Sequence, residues 1–181
     1  MASQGAAGGK FVSESLGLLL MQESAALVER STRQQQSGED AETAALSVHA
    51  KLESLGHDVG YRFIERVAQQ RIILPEPLEA IKFICKDLWS SVYGKPIDKL
   101  QTNHRGVFVL KDFAFKPIAH ISNKSEDDQL GKELKRKFLK FPCGVLRGAL
   151  ENLGYTATVT ADFEFQDQRQ VTSFHVRLTV P

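Results

Sequence analysis

The chain predicts an α+β, two-layer fold of about five helices and a small antiparallel sheet. Three patterns carry that expectation. Residues 13–93 repeat apolar side chains at helical spacing, whereas residues 106–115 and 155–180 alternate with the period of two that belongs to strands. One further helical stretch, "KFPCGVLRGALENLG" (140–154), lies between the two strand pairs. Helices first and strands later favour segregated layers over a parallel doubly wound sheet. With 181 residues the chain can bury a sizeable core as one domain, expected over 13–181. Residues 1–12, small and Gly-rich, are expected to be a disordered tail.

The first helix is expected from about Ser13 to Arg30. On a wheel, Leu16, Leu19, Leu20 and Leu27 form one stripe, and Leu18, Met21, Ala25 and Val28 a second, well separated from it. A helix with a single buried face has one stripe, so the second implies burial against a partner protein. The polar run "STRQQQSGED" reads as a loop. A second helix is expected from about Ala41 to Leu55, ending at Gly56, and a third through "VGYRFIERVAQQ". Pro75-Glu76-Pro77 then opens a fourth, since proline is tolerated in a first turn. It carries Leu78, Ile81, Ile84, Cys85, Leu88, Trp89 and Val92 on one arc and stops at Gly94. Phe83 falls opposite that arc, near Asp87 and Ser90, and is a candidate partner contact.

The segments "GVFVL" (106–110) and "FAF" (113–115) read as a hairpin across Lys111-Asp112. Residues 155–163 and 173–180 read as an antiparallel pair joined near Asp167–Gln170, with one face on a core and one wet. In the helix between them, Val145, Leu146, Ala149, Leu150 and Leu153 make a wide apolar arc. Gly144 and Gly148 form a bare strip beside it, and Arg147 and Glu151, an i,i+4 pair, form the only polar edge. A mid-helix glycine costs about 0.5–1 kcal/mol relative to alanine. Two of them four apart fit a helix that lets another backbone approach closely. Asn152 falls toward the buried side and needs a hydrogen-bond partner.

Several kinds of chemistry lack their residues. Charge is nearly balanced, with 23 basic and 22 acidic residues, so nothing global points to nucleic acid. No apolar run reaches membrane-spanning length, and "MASQGAAGGK" does not resemble a secretory signal. The histidines do not pair at ligand spacing, no C-x-x-C occurs, and neither a dinucleotide fingerprint nor a phosphate-loop lysine motif is present. No metal, cofactor or catalytic residue is therefore expected. Cys85 and Cys143, each among apolar neighbours, read as reduced core thiols; a nucleophilic Cys143 is the weaker alternative. The basic run "GKELKRKFLK" reads as a solvated face. Lys132, Lys135, Arg136 and Lys137 are the candidates there for contact with anionic membrane or an acidic partner.

Three stretches carry a family resemblance: "LESLGHDVGYRFIER" (52–66), "IKFICKDLWSSVYGKPIDKLQTNHRGVFVL" (81–110) and "FPCGVLRGALENLGYTATVTA" (141–161). They are similar to the small α/β subunits of the transport protein particle (TRAPP) vesicle-tethering complex, and the I-C-K-D-L-W and T-N-H-R-G-V-F-V-L runs resemble the type-six subunit. The resemblance implies helices on one side of a four-stranded antiparallel sheet and heterodimerisation with the family's central small subunit through the early helices. It also implies a non-catalytic scaffold or adaptor role in an assembly that activates a Rab-type GTPase by nucleotide exchange. That assembly tethers vesicles in endoplasmic-reticulum-to-Golgi and Golgi transport. The chain would then be cytoplasmic, peripheral at the cis-Golgi and endoplasmic reticulum through the complex. The central subunit carries an acylated cysteine after its third helix; here "AQQRIILP" (68–75) has none, so lipid modification does not carry over. Binding of a small molecule or acyl lipid remains the alternative function.

Overall fold

The computed structural model describes residues 23, 26, 27, 30, 41–68, 76–103, 105–119, 121, 129–166 and 169–179. Among them four helices pack against a four-stranded antiparallel sheet, so the fold is α+β. Of the expected first helix, Glu23, Ala26, Leu27 and Arg30 are helical; Leu18, Met21, Ala25 and Val28 lie outside the described residues. Leu27, placed on the first stripe by the wheel, is 60% exposed.

The next two expected helices are one. Helix α1 runs unbroken over Ala41–Ala68, and Gly56 sits inside it rather than at its end. Its buried residues Val48, Leu52, Gly56, Gly60 and Ile64 recur every four positions and form a single ridge. That ridge lies on α4 (Gln129–Asn152), which starts earlier than its glycines suggest and carries Pro142 within it. A Cβ at Gly56 would collide with the carbonyl oxygen of Phe141, and one at Gly60 with that of Val145. Reciprocally, a Cβ at Gly144 would collide with the carbonyl oxygen of Glu53, and one at Gly148 with that of His57. Two G-x-x-x-G strips therefore face each other, and the backbones meet where four side chains are missing.

Polar pairs flank this seam. Arg147 Nη1 donates to Glu53 Oε1 at 2.8 Å, His57 Nε2 to Glu151 Oε2 at 2.6 Å, and Asn152 Nδ2 to Glu65 Oε1 at 3.0 Å. Arg147 and Glu151 thus both reach across to α1. Because Glu53, His57 and Glu65 meet residues 147, 151 and 152 in that order, the two helices run in the same direction.

Helix α2 starts with Pro77 in its first turn and spans Pro77–Phe83 as α-helix, Ile84–Leu88 as a π turn and Trp89–Tyr93 as α-helix again. It stops at Gly94, which adopts φ 78°. In the π turn the Trp89 N–H donates to Ile84 O and passes over Cys85 O, which accepts instead from Ile97 N–H at 2.9 Å. The turn also corrects the position of Phe83. The extra residue rotates the N-terminal half of the helix by about 100° relative to the C-terminal half. Phe83 swings onto the buried side and is 3% exposed, so it offers no contact surface to a partner.

Strands β1 (Lys99–Thr102), β2 (Val107–Asp112), β3 (Ala157–Gln166) and β4 (Arg169–Leu178) lie in the order β1-β2-β4-β3, all antiparallel. The expected 106–110/113–115 hairpin is corrected: β2 pairs with β1, and Phe113-Ala114 forms a turn instead. Asn103 makes the β1–β2 connection by accepting the Arg105 and Val107 N–H groups on its side-chain oxygen, at 2.8 and 3.1 Å. Asp112 can extend β2 into the core because it is fully partnered. Its carboxylate accepts Trp89 Nε1–H at 3.0 Å, Lys95 Nζ at 2.6 Å and Ala114 N–H at 3.0 Å. Lys95 also reaches Asp98 at 2.6 Å. Burial opposes the charge on Lys95, but Asp112 and Asp98 outweigh it and hold its pKa above the usual value. Burial likewise opposes charge on Asp98, yet Lys95 and the Phe113 N–H hold its pKa below the usual value. The Asp98 contribution is therefore present above pH 3.8 and lost as pH falls below it, and the Lys95 contribution is present below pH 10.5 and lost as pH rises above it.

Phe115 leads into α3 (Lys116–Ala119) and inserts into the core beside Trp89, Tyr93 and Phe174, with ring centroids 5.7, 5.1 and 5.5 Å away. The inner sheet row Phe108, Leu110, Phe174, Val176, Ala157 and Val159 completes the same core beneath α2 and α4. Thr158, Thr160, Asp162, His175 and Arg177 face solvent on the other side.

Replacing Gly148 by leucine is expected to destabilise the chain by about 1–3 kcal/mol or more, since the side chain must push the touching backbones apart. Urea unfolding of the variant beside the parent protein measures this, and an unchanged midpoint contradicts the seam.

Candidate functional site

Two surfaces stand out. The first is the flank of α1 next to its buried ridge, where Leu55, Val59, Phe63 and Val67 recur every four residues. Leu55 is 36% and Val59 38% exposed, and Phe63 and Val67 are half-buried. The spacing was legible in the sequence, but an expected break at Gly56 divided the row.

The second is a groove of about 550 Å³ between α1, α4 and β3. His49 contributes from α1; Arg136, Leu139, Lys140 and Cys143 from α4; Thr160, Ala161 and Asp162 from β3; and His175 from β4. Burial, then the charges of Lys140 and Lys137, push the His49 pKa below its usual value. Sequence reasoning missed the groove because its walls come from three distant segments. Only its basic rim was visible.

The four basic candidates separate. Arg136 is exposed and Lys132 and Lys137 are intermediate, but Lys135 is 2% exposed. This corrects its place on a solvated face: its ammonium lies over the rings of Phe163 and Phe165, 5.4 and 5.3 Å from their centroids, and donates to Gln170 Oε1 at 2.8 Å. The long alkyl stem lets a lysine cover apolar surface while its head finds electron-rich partners. Lys137 Nζ lies 6.0 Å from the Phe138 ring centroid.

Cys85 and Cys143 are free thiols and buried. Burial pushes each pKa from 9.0 up to about 12. Such a thiol is a poor nucleophile because the thiolate is the reactive form. Among the described residues no group of three or more His, Cys, Asp or Glu side chains gathers to hold a metal ion. No helix among them is long and apolar enough to cross a membrane.

Across residues 19–179 the chain matches the family described as Transport protein particle (TRAPP) component, and it belongs to that family. It is 43% identical over 115 residues to Trafficking protein particle complex subunit 6B of Mus musculus, covering 62% of this chain and 68% of that protein. It is 40% identical over 124 residues to Trafficking protein particle complex subunit 6A of Homo sapiens, covering 68% and 74%. Within the family its similarity is thus to the type-six small subunits. Its fold is shared with a solved trafficking protein particle complex subunit 3 from Naegleria fowleri covalently bound to palmitic acid. The TM-score is 0.62 at 18% identity, covering 93% of this chain and 98% of the other.

At neutral pH both thiols are expected to react with iodoacetamide roughly 1,000-fold more slowly than a free cysteine, as a three-unit rise in pKa dictates. Mass spectrometry of alkylated protein, folded and in urea, reads this; rapid folded-state labelling contradicts it. Each raised pKa also contributes stability that is full below pH 9.0 and lost as pH rises toward about 12.

Proposed function

We propose that the chain is a non-catalytic scaffold subunit of the TRAPP assembly, paired with the central small subunit through an apolar helical face. The observation that carries this reading is the row Leu55, Val59, Phe63 and Val67 on α1, apolar yet partly open to solvent. Obligate interfaces resemble a domain core cut in half, and a row of this kind beside a buried ridge is one half of such a core. The exposed Leu27 supports the same reading. So does the second stripe of the first helix (Leu18, Met21, Ala25 and Val28), which the sequence assigns to a partner.

In this role the subunit works by position. The assembly activates a Rab-type GTPase by nucleotide exchange and tethers vesicles between the endoplasmic reticulum and the Golgi. The chain supplies surfaces to its neighbours in the cytoplasm and reaches membranes through them. Buried thiols and the apolar row fit a structural component better than an enzyme. An acyl-binding role has less behind it, since the groove carries a charged rim and both cysteines are buried.

Leu55→Glu with Val59→Glu, and separately Leu18→Glu with Met21→Glu, are expected to abolish co-elution with the central small subunit in size exclusion. Leu55 and Val59 are exposed enough for their pair to leave the melting temperature nearly unchanged. Co-elution of both double variants would place the interface elsewhere.

A further inference from the structure

The sheet has two edges, and they are built differently. β1 is four residues long, carries Lys99 and follows Pro96, features that blunt an edge against pairing with another chain. β3 runs for ten residues, contains neither proline nor lysine, and pairs with β4 in unbroken register with no bulge. The Thr179 N–H donates to Thr156 O at 2.8 Å, which fixes the alternation along β3. Residues 158, 160, 162 and 164 direct their N–H and C=O groups toward β4, and Val159, Ala161 and Phe163 direct theirs outward. The outward Phe163 N–H is taken by Asp162 Oδ1 at 2.8 Å. Among the described residues, nothing pairs with the outward groups of Val159 and Ala161.

Beside these two residues lies the groove already described, with Arg136 and Lys140 on its rim and His49 in its wall. Asp162 is the one acidic residue among those that line it. A strand added to β3 would point alternate side chains toward the helical layer, into this basic groove. The intervening side chains would lie over the outer face, next to Thr158, Thr160 and Asp162. Backbone pairing provides affinity in such an arrangement, and the alternate side chains provide selectivity.

We propose that the free edge of β3 at Val159–Ala161, with the basic groove beside it, docks an extended segment of a partner polypeptide whose inward-facing side chains are acidic. This surface is separate from the apolar row of α1 and does not depend on pairing through that row.

The test uses the full chain and a synthetic eight-residue peptide of alternating threonine and glutamate. The peptide is expected to bind in a fluorescence titration and to slow amide hydrogen exchange at Val159 and Ala161. Arg136→Glu and Lys140→Glu are each expected to weaken binding by about tenfold. Ala161→Pro removes an outward N–H without touching the β3–β4 ladder, as edge strands tolerate, and is expected to abolish binding. Should that variant fold poorly, a peptide N-methylated at alternate residues tests the same point on the unaltered protein, because one of its two methylation registers cannot complete the ladder. No binding at millimolar peptide, equal binding of both methylated registers, or protection elsewhere in the chain would overturn the proposal. So would binding of anionic phosphatidylserine vesicles, lost in Arg136→Glu, in the absence of any peptide binding.

Discussion

The helical layer depends on two backbones touching. At Gly56, Gly60, Gly144 and Gly148 the absence of side chains lets α1 and α4 lie in direct main-chain contact. Each glycine gives up about 0.5–1 kcal/mol of helix propensity. In return, close-packed atoms along the seam gain dispersion contact that bulkier residues would hold apart. Consequently α4 has little free circumference from Pro142 to Leu150: one side meets α1, another the sheet through Leu146 and Leu150. A strip with a four-residue repeat on both helices could also fit after slipping by one turn. The pairs Glu53–Arg147, His57–Glu151 and Glu65–Asn152 fit one register and select it.

Much of this was legible in the sequence, and the exceptions share a cause. The alternation of Ala157, Val159 and Ala161 against Thr156, Thr158 and Thr160 identifies a half-buried strand, and the wide arc of α4 identifies a helix enclosed on most sides. Asn152 finds its hydrogen-bond partner in Glu65, on an element far away in sequence. Gly56, by contrast, reads as a helix end because glycine serves both at helix ends and at close approaches. Only the neighbouring helix decides between them. Phe83 is misplaced by any wheel of constant pitch, since a π turn leaves no mark in residue identity. Lys135 is hidden in a basic run because its aromatic partners are more than twenty residues away, on β3.

The two surfaces differ in chemistry as well as place. The row on α1 is apolar and offers area; the β3 edge is polar and offers direction, through main-chain groups and a basic groove. In the scaffold role proposed above, such contrast keeps different neighbours from competing for one surface. Cys85 belongs to neither; Cys143 lines the groove but is itself buried.

The parallel course of α1 and α4 bears on how the chain is made. Parallel helices cannot be joined by a short turn, and His57 meets Glu151 across 94 positions. At roughly 5–20 residues per second of synthesis, α1 waits on the order of 5–20 s after its own translation before its counterpart emerges. For that interval α4 is not yet there to meet the ridge and its glycines. A nascent chain of this design therefore has an obligatory lag between the synthesis of α1 and its packing against α4.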